Sequence, residues 1–207
     1  PAAGLGGSEA FTYTVTDGQG GEATATVRVV VTQMSERLTR YASREDFDAA
    51  APGLAVQTFE AAVPDVSCSA VLDAGTDDAC FDPGDILPGL RFGAEAEDGG
   101  PLDDPAYRVV APSAGRSWTQ NALRLNDVAG RMALEFPDGT AALGLDVHNL
   151  VAGPGTFVFS LLALDGAPLG TLTIDVSGEA PAFVGVTSSV PIGRAVLNEF
   201  PPFDAGG

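Results

Sequence analysis

A chain of 207 residues is long enough for one large all-β domain, or for a small module followed by a medium one. Its 28 acidic residues against 10 basic ones leave a formal charge of -18 at pH 7, which argues against nucleic acid and anionic membrane as partners. Every basic residue is Arg, which disfavours lysine-based chemistry. The longest apolar stretches, Val27 to Val31 and Phe157 to Leu164, are strand-sized and far short of the about 18 residues a membrane span needs.

The opening Pro1-Ala2-Ala3-Gly4-Leu5-Gly6-Gly7 carries neither a charged nor an apolar leader. It is expected to be mature or excised material, any secretion signal lying upstream or being absent. Residues 8 to 32 then alternate. Phe11, Tyr13 and Val15 fall on one face and Thr12, Thr14 and Thr16 on the other, Asp17-Gly18-Gln19-Gly20-Gly21 turns the chain, and Ala23, Ala25, Val27, Val29 and Val31 alternate on the way back. Period-two alternation around a Gly-rich turn predicts a β-hairpin. The run Ser8 to Gly21, followed by Ala23-Thr24-Ala25-Thr26-Val27, resembles the last two strands of the cadherin-like tandem repeats of large bacterial surface proteins. Two strands alone are marginal in water and leave an apolar face and two edges needing partners. The expected partners are the following domain, further strands of the same repeat, or a neighbouring molecule.

Residues 33–46 are polar and hold three of the ten arginines, which predicts a linker and a helix start. Ser43 with Asp46 three residues on is a loose N-terminal cap, and a short helix is expected near 44–51, stopped by Pro52-Gly53. Cys68 and Cys80 are the only cysteines, and they flank an acidic loop of eleven residues. The spacing fits no zinc framework, leaving a local disulfide as the simplest reading and two free thiols as the alternative. A disulfide closing such a loop contributes about 3 kcal/mol and persists only in an oxidising compartment, so an extracellular or cell-surface location is expected.

From Ala55 short strands and turn signals run to the end, as in a sandwich or jelly roll. The clearest strands are Ala133 to Phe136, Ala141 to Val147, Thr156 to Leu164, Leu169 to Val176, Ala182 to Val186 and Gly193 to Leu197. The expected fold is therefore all-β, an antiparallel β-sandwich or jelly roll over residues 47–207, preceded by an N-terminal hairpin and one short helix. Hydrophobic residues make up 45% of the chain, enough for a core. Asp46-Phe47, Ala51-Pro52-Gly53, Thr58-Phe59-Glu60, Leu134 to Gly139, Leu143-Gly144-Leu145-Asp146, Phe183 to Val186 and Val190-Pro191-Ile192 resemble secreted bacterial jelly-roll domains found in surface proteins, which are similar to galactose-binding-like sandwiches. That resemblance implies a domain without assigned activity and a structural calcium ion held between Glu60 and Asp204, hard oxygen donors being what calcium takes.

Catalytic sets are hard to assemble. His148 is the sole histidine and no Gly-x-Ser-x-Gly elbow accompanies it, so neither a serine triad nor a zinc site with several imidazoles is available. Two carboxylates suffice for glycoside hydrolysis, but Asp103 with Asp104, or Glu95 with Glu97 and Asp98, sit in turn-rich stretches where a solvated surface is expected. Asp73, Asp77 and Asp78 in the cysteine loop are expected to be solvated, with ion binding as the alternative. For carbohydrate binding the candidates are Trp118, flanked by Arg116, Gln120 and Asn121, with Tyr107 as a neighbouring wall, because an exposed indole among polar groups can stack on a sugar ring. The expected function is a non-catalytic extracellular module binding a surface glycan or protein ligand. The alternatives are a filament subunit that donates its hairpin strands to copies of itself, and a glycan-active hydrolase.

Overall fold

Alternation makes an antiparallel ribbon of residues 7–31 in the computed structural model, which describes residues 7–31, 38–96, 100–103, 106–111, 120, 122–125, 130–148, 155–177 and 181–200. β1 (Gly7–Thr16) pairs with β2 (Glu22–Val31), setting Phe11 opposite Val27, Tyr13 opposite Ala25 and Val15 opposite Ala23. Cross-strand partners share a face, so these residues form one apolar side. Thr12, Thr14, Thr24 and Thr26 form the other, where the Thr14 and Thr24 hydroxyls hydrogen-bond at 3.2 Å. Asp17 holds the turn by accepting from the Gln19 and Gly21 N–H groups at 2.7 and 2.9 Å. These two donors hold its carboxyl below the usual value.

The chain divides into two compact units at Ser35/Glu36. Within the second unit, β3 (Leu38–Tyr41) pairs antiparallel with residues 185–188 of the last strand. Of the linker and helix start expected over 33–46, residues 38–41 are thus corrected to a strand. Leu38 is buried in this otherwise polar stretch, and one anchored apolar residue with a free edge to pair with is enough to seat a short strand. The helix α1 (Arg44–Ala50) follows, with Ser43 as its N-cap accepting from the Asp46 N–H at 3.4 Å. Glu45 and Asp46 occupy its first turn, where the helix dipole favours negative charge.

The remaining strands are β4 (Ser67–Cys68), β5 (Val71–Leu72), β6 (Arg91–Glu95), β7 (Tyr107–Val110), β8 (Ala122–Leu125), β9 (Arg131–Val147), β10 (Gly155–Ala163), β11 (Pro168–Val176) and β12 (Ala182–Phe200). They form a seven-stranded sheet in the order β11-β10-β12-β9-β6-β5, with β3 also on β12, and a three-stranded sheet in the order β4-β7-β8. All of these pairs are antiparallel, and the fold is all-β, of the sandwich class, with one short helix. The core is one cluster that draws on both sheets, with Leu72, Tyr107, Val109, Phe159, Leu161 and Ile192 wholly removed from solvent.

β9 and β12 each merge two strands that the turn signals separate. Between Thr187 and Arg194 the β12 register against β9 shifts twice, with Ile192 alone pairing Thr140. Unequal counts of residues on paired strands are β-bulges, and bulges bend strands, so both strands turn a corner here without leaving the ladder. Side chains satisfy the local backbone: the Ser188 hydroxyl donates to the Val190 carbonyl at 2.6 Å, and that of Thr140 donates to Ala142 at 2.8 Å. Gly139 has φ +74, a left-handed conformation that glycine adopts without strain.

Helix α1 lies on a second glycine device. Gly144 and Gly185 are direct partners across β9 and β12, and the Phe47 ring rests on both. A Cβ added at Gly185 would lie 2.6 Å from Phe47 Cδ2, and one at Gly144 would lie 2.7 Å from Phe47 Cε1. Phe47 is buried there between Tyr41 and Phe183, at ring-centroid distances of 5.8 and 5.7 Å. Arg44 completes the clasp by pairing with Asp146 and placing its guanidinium 4.7 Å above the Phe183 ring.

Candidate functional site

The largest unmet surface on the first unit is the apolar face of its ribbon. Phe11, Tyr13 and Val15 are 55%, 47% and 58% exposed and lie at alternate positions of β1, so they form a continuous stripe flanked by Ala23, Ala25 and Val27 of β2. A ribbon of two strands offers hydrogen-bonding edges as well as this stripe. What it can do chemically is pack against another sheet or accept another strand.

In the second unit the residues nominated for sugar binding do not form one described site. Trp118, Arg116 and Asn121 lie outside the described residues, and Gln120 is exposed. Tyr107 is corrected: it is wholly buried in the core rather than part of a ligand wall. The alternation of β7 turns Tyr107 and Val109 inward together, opposite Leu125 and Leu123 of β8. Burial raises the Tyr107 hydroxyl pKa, and the charges of Glu95 and Glu135 raise it further.

Glu95, expected to be a solvated surface acid, is also corrected. It is paired with Arg194 and only 17% of its side chain is exposed. Arg194 Nε also lies 3.9 Å from Glu135, which takes a 2.6 Å bond from Arg91. Register explains the cluster: Arg91 and Arg194 flank Glu135 on neighbouring strands, and Glu95 pairs with Arg131, whose guanidinium donates to the Ala96 carbonyl at 2.9 Å. Opposite charges set across strands support the sheet. Glu97, Asp98 and Asp104 lie outside the described residues.

Cys68 and Cys80 form a disulfide with Cα atoms 5.5 Å apart, both cysteines buried. Asp78 organises the loop between them. Its carboxylate accepts from the N–H groups of Ser69, Cys80 and Phe81 at 2.8, 2.8 and 3.0 Å, so it is a structural acceptor rather than a solvated charge. Partial burial pushes its pKa up, but these donors outweigh it and hold the carboxyl below its usual value. Asp73 accepts from Gly75 N–H at 2.8 Å, and Asp77 is exposed. Beside this loop an open groove of about 200 Å³ is bounded by Asp73, Gly75, Gly89, Leu90, Arg91 and Pro137, smaller than the usual ligand pocket.

For calcium, Glu60 is exposed and Asp204 lies outside the described residues. Among the described residues no group of three or more His, Cys, Asp or Glu side chains is placed to hold a metal ion. His148 is half-buried, and burial lowers its pKa against the opposing pull of Asp146. No helix among the described residues is long and apolar enough to cross a membrane.

Residues 1–30 match the family model of a bacterial Ig domain. The match stops at the end of the ribbon, so it bears on the first unit alone. The exposed stripe therefore lies in the part of the chain that is similar to an Ig-like sandwich. No curated protein matches the chain, and no solved structure does.

Proposed function

We propose that the chain is a non-catalytic module of an extracellular bacterial surface protein. Its N-terminal ribbon belongs to an Ig-like sandwich, and its second unit is a β-sandwich of the secreted jelly-roll kind that contacts a surface glycan or protein ligand. The Phe11-Tyr13-Val15 stripe carries this reading. In an Ig-like sandwich the inner face of each sheet is buried against the opposing sheet. A ribbon similar to a bacterial Ig domain with three large apolar side chains about half exposed fits a sheet that packs against an opposing layer. The buried disulfide supports an oxidising location.

The free edges of the ribbon favour one further reading, strand donation between copies. Light scattering across a wide concentration range tests both. Mass growing beyond 21.0 kDa and reverting to monomer on Phe11→Ser with Tyr13→Ser supports the stripe as an interaction surface. Open-ended growth favours strand donation, and a closed dimer favours sheet-on-sheet packing. A constant monomer whose ribbon amides resist hydrogen exchange would overturn the proposal, because the ribbon would then need no partner. The non-catalytic part fails if turnover on a glycan panel exceeds that of heat-killed protein.

A further inference from the structure

The three-stranded sheet has two faces of different character. Cys68, Tyr107 and Val109 are buried on its inner side, so the residues alternating with them face outward. Ser67 of β4, Arg108 of β7 and Arg124 of β8 are successive cross-strand partners and form one row on that outer face. Directly opposed side chains stand about 5 Å apart at Cβ, and like charges so placed destabilise a sheet. In a chain of charge -18 a carboxylate opposite either arginine would have been easy to supply.

None does so. Three arginines of the larger sheet and helix are engaged, Arg44 by Asp146, Arg91 by Glu135 and Arg194 by Glu95. Among the described residues Arg108 and Arg124 enter no ion pair, and the Arg108 Nε is shut off from solvent with no hydrogen-bond partner there. Asp65, two residues before Ser67, pairs with neither. A buried donor without a partner beside an opposed guanidinium pair is a place where a bound oxyanion would satisfy the donor and screen the like charges.

We propose that the outer face of β4, β7 and β8 binds an oxyanion, a carboxylate or sulfate group, between Arg108 and Arg124 with the Ser67 hydroxyl beside it. Guanidinium groups match planar oxyanions bidentately. The next row on the same face is the pair Val110 and Ala122, both partly buried. It forms an apolar shelf on which the C–H face of an acidic sugar can lie while its carboxylate meets the arginines. The site stands independently of the ribbon proposal.

Calorimetric titration at low ionic strength tests it, with trigalacturonate, sodium sulfate and neutral maltotriose as probes. Trigalacturonate should bind, maltotriose should not, and added salt should weaken the binding. Arg124→Gln and Arg108→Gln should each lower the affinity by on the order of tenfold or more, while Arg40→Gln on β3 leaves it unchanged. Sulfate binding as tightly as trigalacturonate would assign the site to a free anion, and weaker sulfate binding to an acidic saccharide. Arg124→Gln should also melt higher than the parent without anion and lose the rise that anion gives the parent. Absence of uptake of both anions, or an equal loss in Arg40→Gln, overturns the proposal.

Discussion

Phe47 illustrates how a single contact couples distant parts of this sequence. Its ring needs the missing Cβ atoms of Gly144 and Gly185, so Gly185→Ala should cost about 1–3 kcal/mol through overpacking, or about 2–4 °C in Tm per kcal/mol. The cost should shrink when Phe47 is replaced by Ala in the same protein, and equal costs in both backgrounds would show that the ring is not the reason. Asp78 acts through charge instead. Because its native pKa lies below the usual value, its contribution is complete above the unfolded value of about 4 and is lost as pH falls through the lower native value. The Tm gap between the parent and Asp78→Asn should thus be wide at pH 7 and close on acidification; a gap constant with pH would remove the carboxylate charge as its cause. Neither role was legible in the sequence. A glycine in a strand does not announce which ring crosses it, and Asp78 resembles the solvated Asp77 until backbone N–H groups converge on it. Tyr107 is misplaced for a related reason: grouping it with Trp118 as a ligand wall assumes exposure, whereas the alternation of β7 sets it in the core.

At the level of elements, local pattern was informative where strands alternate and turns are tight. The ribbon and the pair β10 and β11 were readable from period two and from Asp165-Gly166. Corners were not. Pro137-Asp138-Gly139 and Pro191 are turn signals, yet the structure uses them inside continuous strands, because bulges at Ile192 and Thr140 absorb the mismatch. β3 escaped notice since its pairing partner lies far along the chain at residues 185–188, a relation local pattern does not record. The disulfide offers the test at this scale. Replacing both cysteines by Ser should lower stability by about 3 kcal/mol through the freed loop, measured by chemical denaturation. Since both sulfurs are buried, reductant should act slowly on the native protein and quickly once denaturant opens it. Equal rates with and without denaturant would mean that the bond is accessible in the native state.

Across the whole molecule the division at Ser35/Glu36 separates two kinds of stability. The second unit has a buried core cluster of its own, running from Leu38 to Ala195, and an isolated two-stranded hairpin is marginal in water. A chain beginning at Glu36 should therefore melt cooperatively at nearly the Tm of the parent, because the second unit keeps its own core. The same deletion should abolish any growth of mass with concentration, since the Phe11-Tyr13-Val15 stripe leaves with it. These outcomes are separable. A large fall in Tm with association intact would place the association surface on the second unit and make the ribbon a stabilising element. An unchanged Tm with association lost would leave the second unit self-sufficient and the ribbon dedicated to contacts beyond it, as the proposed function requires.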